Sequence, residues 1–93
     1  MLEVIKFEAD WCSPCQQLKP IFADLVAEYK SNDRVKLTTV NVDTNAELTV
    51  KYGISGIPAT LFVIDGEVKS KIVGVKPKKV LSAEIEKYIN ECI

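Results

Sequence analysis

Histidine is missing from this 93-residue sequence, and cysteine, tryptophan and methionine are scarce, at three, one and one residues. Three cysteines without histidine fall short of the four Cys or His ligands that a structural zinc site requires, so no metal is expected. Long apolar runs are lacking too. The longest, Leu61-Phe62-Val63-Ile64, is the size of a strand and far below bilayer length. The N-terminus has no basic, apolar and small-residue succession of the secretory kind, so the expected location is the cytoplasm. In that reducing compartment three cysteines do not form a disulfide framework. Nor does charge of either sign dominate. Twelve basic residues against thirteen acidic ones give a net −1, which offers no electrostatic case for nucleic acid or membrane and suggests a mixed, solvated surface. Repeats, linkers and low-complexity stretches are absent. What is present is apolar: 47% of the residues, enough for one domain with a modest core.

Two of the cysteines stand three apart in Trp11-Cys12-Ser13-Pro14-Cys15. An apolar, strand-like run precedes them and a strongly periodic helix follows. A C-x-x-C at the head of a helix in a βαβ setting reads as a redox dithiol. Unpaired N–H groups and the positive end of the helix dipole favour the thiolate of Cys12, which is the attacking form. Cys15, one turn on, is placed to attack a mixed disulfide formed by Cys12.

Leu2 to Phe7 reads as a first strand, nearly continuous in apolar character apart from Lys6, as expected for burial on both faces. Leu18, Ile21, Phe22, Leu25, Val26 and Tyr29 follow with the period of a helix. Pro14 suits its first turn, Pro20 is expected to kink it, and Ser31-Asn32-Asp33 ends it. Val35 to Val42 reads as a second strand. Asp43 or Thr44 then caps a short helix from Ala46 to Tyr52 that stops at Gly53. Ala59 to Ile64 and Glu67 to Val73 flank Asp65-Gly66, a two-residue hairpin signal. The last helix covers Lys78 to Glu91, with Leu81, Ile85, Tyr88, Ile89 and Cys92 on its apolar stripe. The expected order is β-α-β-α-β-β-α, a mixed sheet with helices on both faces.

From Leu2 to Ile89 the chain resembles a thioredoxin. The resemblance is carried by Ala9-Asp10-Trp11, Cys12-Ser13-Pro14-Cys15, Pro20, Val42-Asp43 and Tyr52-Gly53-Ile54. Further on it is carried by Gly56-Ile57-Pro58-Ala59-Thr60, the Asp65-Gly66 hairpin and Gly74. It implies a thioredoxin-like fold, a four-stranded mixed β-sheet in order 2-1-3-4 flanked by three helices. The first and last helices would cover one face and the short middle helix the other. Aligned this way, the chain opens at the family's second strand, without the usual preceding strand and helix, as in minimal glutaredoxin-like forms.

The resemblance also implies that Pro58 is cis and faces the cysteines. Ile57 would pair with an extended substrate, and Trp11, Ile57, Pro58 and Gly74 would form an apolar groove around the sulfurs. Trp11 is open to a packing role as well as a substrate contact. The implied activity is that of a monomeric protein disulfide reductase. It would need no bound cofactor, would receive electrons from a thioredoxin reductase and would act on disulfide-containing proteins. Pro14 would stiffen the motif and shield Cys15, while Ser13, in the place of the family's common glycine, would tune the potential. The absence of histidine between the cysteines disfavours an oxidase or isomerase.

Two departures from the family pattern concern charge. Lys6 stands where thioredoxins usually bury an aspartate, and Thr39 stands where its lysine partner is usual. Lys6 either points beneath the dithiol and tunes both thiols, or snorkels to solvent beside Glu8. Glu8 and Asp10 are expected to be exposed and screened, and Cys92 to be a small core residue or a frayed terminal thiol, with a regulatory or dimer-forming disulfide as the alternative. A glutaredoxin-like enzyme remains an alternative, although no basic cluster for glutathione is evident. The other alternative is a binding subunit that uses the groove without redox chemistry.

Overall fold

A computed structural model describes residues 1–91. The elements are β1 (Leu2–Glu8), α1 (Ser13–Glu28), β2 (Val35–Asn41), α2 (Ala46–Lys51), β3 (Ala59–Ile64), β4 (Glu67–Val73) and α3 (Lys78–Glu91). The sheet order is β2-β1-β3-β4, with β1 and β2 parallel and the other two pairings antiparallel. This is the mixed α/β architecture expected from the sequence.

Alternation along the central strands separates two cores. Leu2 and Val4 of β1 and Phe62 of β3 pack against Leu18, Phe22 and Leu25 of α1 and Leu81, Ile85 and Ile89 of α3. Ile5 and Phe7, with Ala59, Leu61 and Val63, point to the other face. There Leu48 and Tyr52, from α2 and its end, are the principal cover.

Local chemistry sets the element ends. Asp65 and Gly66 have φ of 51° and 81°, as a two-residue hairpin with both central residues left-handed requires. Gly53, at φ 62°, closes α2. Its N–H reaches the carbonyl of Val50, and that of Ile54 reaches the carbonyl of Thr49. This pattern satisfies the last free carbonyls of a helix and favours glycine.

Some boundaries differ from expectation. Asn45, rather than Asp43 or Thr44, caps α2, its side chain accepting from the Leu48 N–H at 3.3 Å. The helix ends at Lys51, and Tyr52 is its C-cap. β1 extends to Glu8, because the ladder with β2 continues through Glu8 opposite Asn41, where β2 ends one residue short of Val42. α1 runs through Pro20 without a break. Pro20 and Gln16, whose carbonyl loses its usual donor there, are both exposed. Cys92, and with it every expectation for its thiol, lies outside the described residues.

Candidate active site at the head of α1

β1 ends at Glu8, and Ala9-Asp10-Trp11 turns the chain into α1. Cys12 is the N-cap of that helix. Its backbone is extended, and its sulfur accepts from the Cys15 N–H at 3.2 Å. An otherwise orphaned helix N–H is thus aimed at the sulfur that would carry negative charge after reduction. Pro14 sits in the first turn, where its missing N–H costs no helical bond. Cys12 and Cys15 are joined as a disulfide, with Cα atoms 5.2 Å apart. Cys12 is 5% exposed and Cys15 is fully buried, so only Cys12 reaches the surface. Ala9, Val42 and Ile57 pack around the pair.

The groove residues come together from three loops. The Ile57–Pro58 peptide is cis, and the Ile57 carbonyl oxygen lies 3.8 Å from Cys12 Sγ. The Gly74 N–H donates to the Pro58 carbonyl at 2.8 Å, tying the end of β4 to this loop. A Cβ on Gly56 would stand 3.4 Å from Val73 Cγ1, so these two residues are neighbours as well. Trp11 is 70% exposed, which makes it a surface residue rather than a core one. Its indole N–H donates to Asp43 at 2.8 Å, which holds the ring beside the cysteines. Pro58 is fully buried and backs the groove instead of forming its surface. Ser13 and Pro14 are exposed.

Lys6 pairs with Glu8, as one of the two readings expected, but in the interior rather than at solvent. Lys6 does not snorkel to solvent, and Glu8 is not exposed: they are 3% and 9% accessible. Both point to the α1 side of β1, where Lys6 Nζ meets Glu8 Oε1 at 2.7 Å. The ammonium also lies 4.9 Å from the centroid of the Phe22 ring. Phe22 is about two turns along α1 from Cys15. The Lys6 charge is therefore matched by a carboxylate and an aromatic face and is not free to act on the sulfurs alone. Only Asp10 is exposed as expected.

Sequence reasoning missed Asp43, Thr60 and the burial of Glu8. Asp43 was foreseeable from topology, because parallel β1 and β2 end at the same edge and the residues just beyond them must meet. Thr60, the register partner of Lys6, is buried with an unpartnered hydroxyl, and no local signal marks it. A hollow of about 270 Å³ is bounded by Val26, Tyr29, Val35 and Leu37 at the opposite end of the molecule. Among the described residues no cluster of His, Cys, Asp and Glu could hold a metal ion.

The thioredoxin family model matches residues 1–87. This chain belongs to the thioredoxin family. It is 40% identical over 86 residues to an M-type chloroplastic thioredoxin of Pisum sativum, covering 92% of this chain and 49% of that protein. It is 37% identical over 83 residues to the thioredoxin of Bacillus subtilis, covering 89% and 78%. The chain thus spans about half the length of its plant relatives and over three quarters of the bacterial one. Membership in the thioredoxin family accounts for the helix-capping cysteine, the buried second cysteine and the cis proline loop occurring together.

Proposed function

We propose that this chain is a thiol–disulfide oxidoreductase working as a protein disulfide reductase. The observation that carries the reading is Cys12 at the N-cap of α1, with the Cys15 N–H on its sulfur and Cys15 buried behind it. In the dithiol form, the Cys12 thiolate attacks one sulfur of a substrate disulfide. A Cys12–substrate bond forms, the substrate S–S bond breaks, and the second substrate sulfur leaves as a thiolate. Cys15 then loses its proton and attacks Cys12 Sγ. The Cys12–Cys15 bond forms, and the first substrate sulfur leaves with the electron pair. Two electrons have passed to the substrate, and the protein is in the oxidised form described above. Pro14 and the apolar wall of Ala9, Val42 and Ile57 keep water from the buried sulfur. Trp11, Ile57 and Gly74 offer the substrate contact.

A thioredoxin reductase is the proposed electron source, and disulfide-bearing proteins are the substrates. The reductase direction requires a compartment that keeps the dithiol reduced, such as the cytoplasm. The test uses single-cysteine variants. Cys15→Ser should accumulate a covalent mixed disulfide with a substrate protein, readable by mass spectrometry, and Cys12→Ser should form none. Trapping by Cys12→Ser instead would reverse the roles. A midpoint potential near −270 mV supports a reductase, whereas one near −120 mV marks an oxidant. Turnover with glutathione and glutathione reductase, but not with thioredoxin reductase, would move the chain to the glutaredoxin-like class.

A further inference from the structure

The two sides of the groove differ in charge. Beside Trp11 stand its chain neighbour Asp10 and, bonded to the indole, Asp43, both exposed. Across Cys12 and Ile57 lies the end of β4, and there the chain is basic. Lys69, Lys71, Lys76, Lys78 and Lys79 stand between Glu67 and Glu84 with no acidic residue among them. The lysines are therefore not evenly mixed with acids, although the chain as a whole has a net charge of −1. Lys69 and Lys78 are engaged by Glu67 and Glu28. Lys71, Lys76 and Lys79 are exposed and have no carboxylate within ion-pair distance among the described residues.

Register and the Gly74–Pro58 hydrogen bond bring two of these, Lys71 and Lys76, toward the groove. Val73 is opposite Ala59 and Lys71 opposite Leu61, so Lys71 shares a strand face with Val73, about 7 Å further from the site. Lys76 follows Gly74 by two residues, and Gly74 is bonded to Pro58. Half-exposed Val73 lies between the two lysines, next to the loop that touches Cys12. β4 is an edge strand with unpaired backbone groups on its outer side.

We propose that the groove selects its disulfide substrates by charge, taking an extended polypeptide segment that is acidic on the flank lying over β4, with Lys71 and Lys76 as its partners. An acidic flank there meets two unpaired ammonium groups. A basic flank would meet like charge on this side, and an acidic flank on the Trp11 side would meet Asp10 and Asp43. The inference rests on the reductase reading for its substrate, but the surface is testable without the chemistry.

The test uses peptides bearing one disulfide loop with glutamates, glutamines or lysines on one flank, each flank in turn. Binding is read by amide chemical shifts of the oxidised protein with serine-substituted peptides. Reaction is read as the single-turnover rate of the reduced protein with the disulfide forms. One Glu-flanked peptide should shift the amides of Lys71 to Lys76 and react about tenfold faster than its glutamine counterpart. The ratio should collapse between about 20 and about 300 mM salt, where the screening length falls from roughly 20 to roughly 6 Å. Lys71→Gln/Lys76→Gln should bring the ratio toward one. The control Lys30→Gln/Lys36→Gln removes the same charge beside the hollow at the far end and should preserve it. Equal binding of all peptides, or a ratio indifferent to Lys71 and Lys76, overturns the proposal. Oxidised glutathione reacting faster than every peptide also overturns it, by assigning the lysines to a small acidic disulfide. Binding of the acidic peptide without any reduction leaves the charge selection standing and defeats the reductase reading instead.

Discussion

Lys6 and Glu8 form a side-chain pair with large energetic consequences. Each is charged, almost fully enclosed, and neutralised mainly by the other. The contact is close but poorly aligned, so Glu8 Oε1 has a charge partner without a directed donor. Taking two charges out of water is repaid only by good geometry, whereas removing one partner strands the other. Lys6→Met should therefore cost about 3–5 kcal/mol. Lys6→Met/Glu8→Leu should cost far less than the two single substitutions summed. Urea titrations of the four proteins check this, and additive losses would mean that the two charges do not interact. The sequence pointed to Lys6 as unusual, because it interrupts an apolar strand. It did not reveal that Glu8 turns inward as well, since that depends on α1 covering this part of β1.

Among the elements, α1 and α3 are fastened by Tyr29, the C-cap of α1. Its hydroxyl lies 3.2 Å from Ser82 Oγ and donates to the Glu86 carboxylate, both on α3. Burial, followed by the bond to Glu86, pushes the phenol up from 10.0 to about 12. The folded state therefore holds this proton more tightly than the unfolded chain does. Its contribution is complete below pH 10 and is lost as pH rises toward about 12. Wild type should lose stability over that interval relative to Tyr29→Phe, which lacks the titrating group. At neutral pH Tyr29→Phe should cost about 1–2 kcal/mol for the lost hydrogen bonds. Parallel denaturation curves from pH 9 to about 12 for both proteins would refute the linkage. Periodicity placed α1 and α3 with their apolar stripes, and the Asp65-Gly66 turn signal placed the hairpin. The cap of α2 was misplaced by one or two residues, because Asp43, Thr44 and Asn45 are all competent caps and the chain turn after β2 decides among them.

For the whole molecule, the sheet divides stability unequally. Two long helices seal one face, and the six-residue α2, which contributes no fully buried residue, is the main cover of the other. Leu81→Ala, in the sealed core, should cost about 3 kcal/mol or more, and half-buried Leu48→Ala about half of that. Native-state hydrogen exchange should find α2 opening locally while β1 and β3 exchange only on global unfolding, and uniform protection would contradict the division. The sequence by itself determined the element order, the sheet class and the reactive pair. Hydrophobic period, turn residues and a helix-capping cysteine act over a few residues and leave local marks. Only the tertiary structure decided that Asp43 steadies Trp11, that Lys6 and Glu8 pair in the interior, and that the end of β4 and the loop after it, which carry Lys71 and Lys76, meet the cis-proline loop beside Cys12. Those relations depend on which strand edges and loop ends meet in space, and neighbouring residues along a chain do not encode that distance.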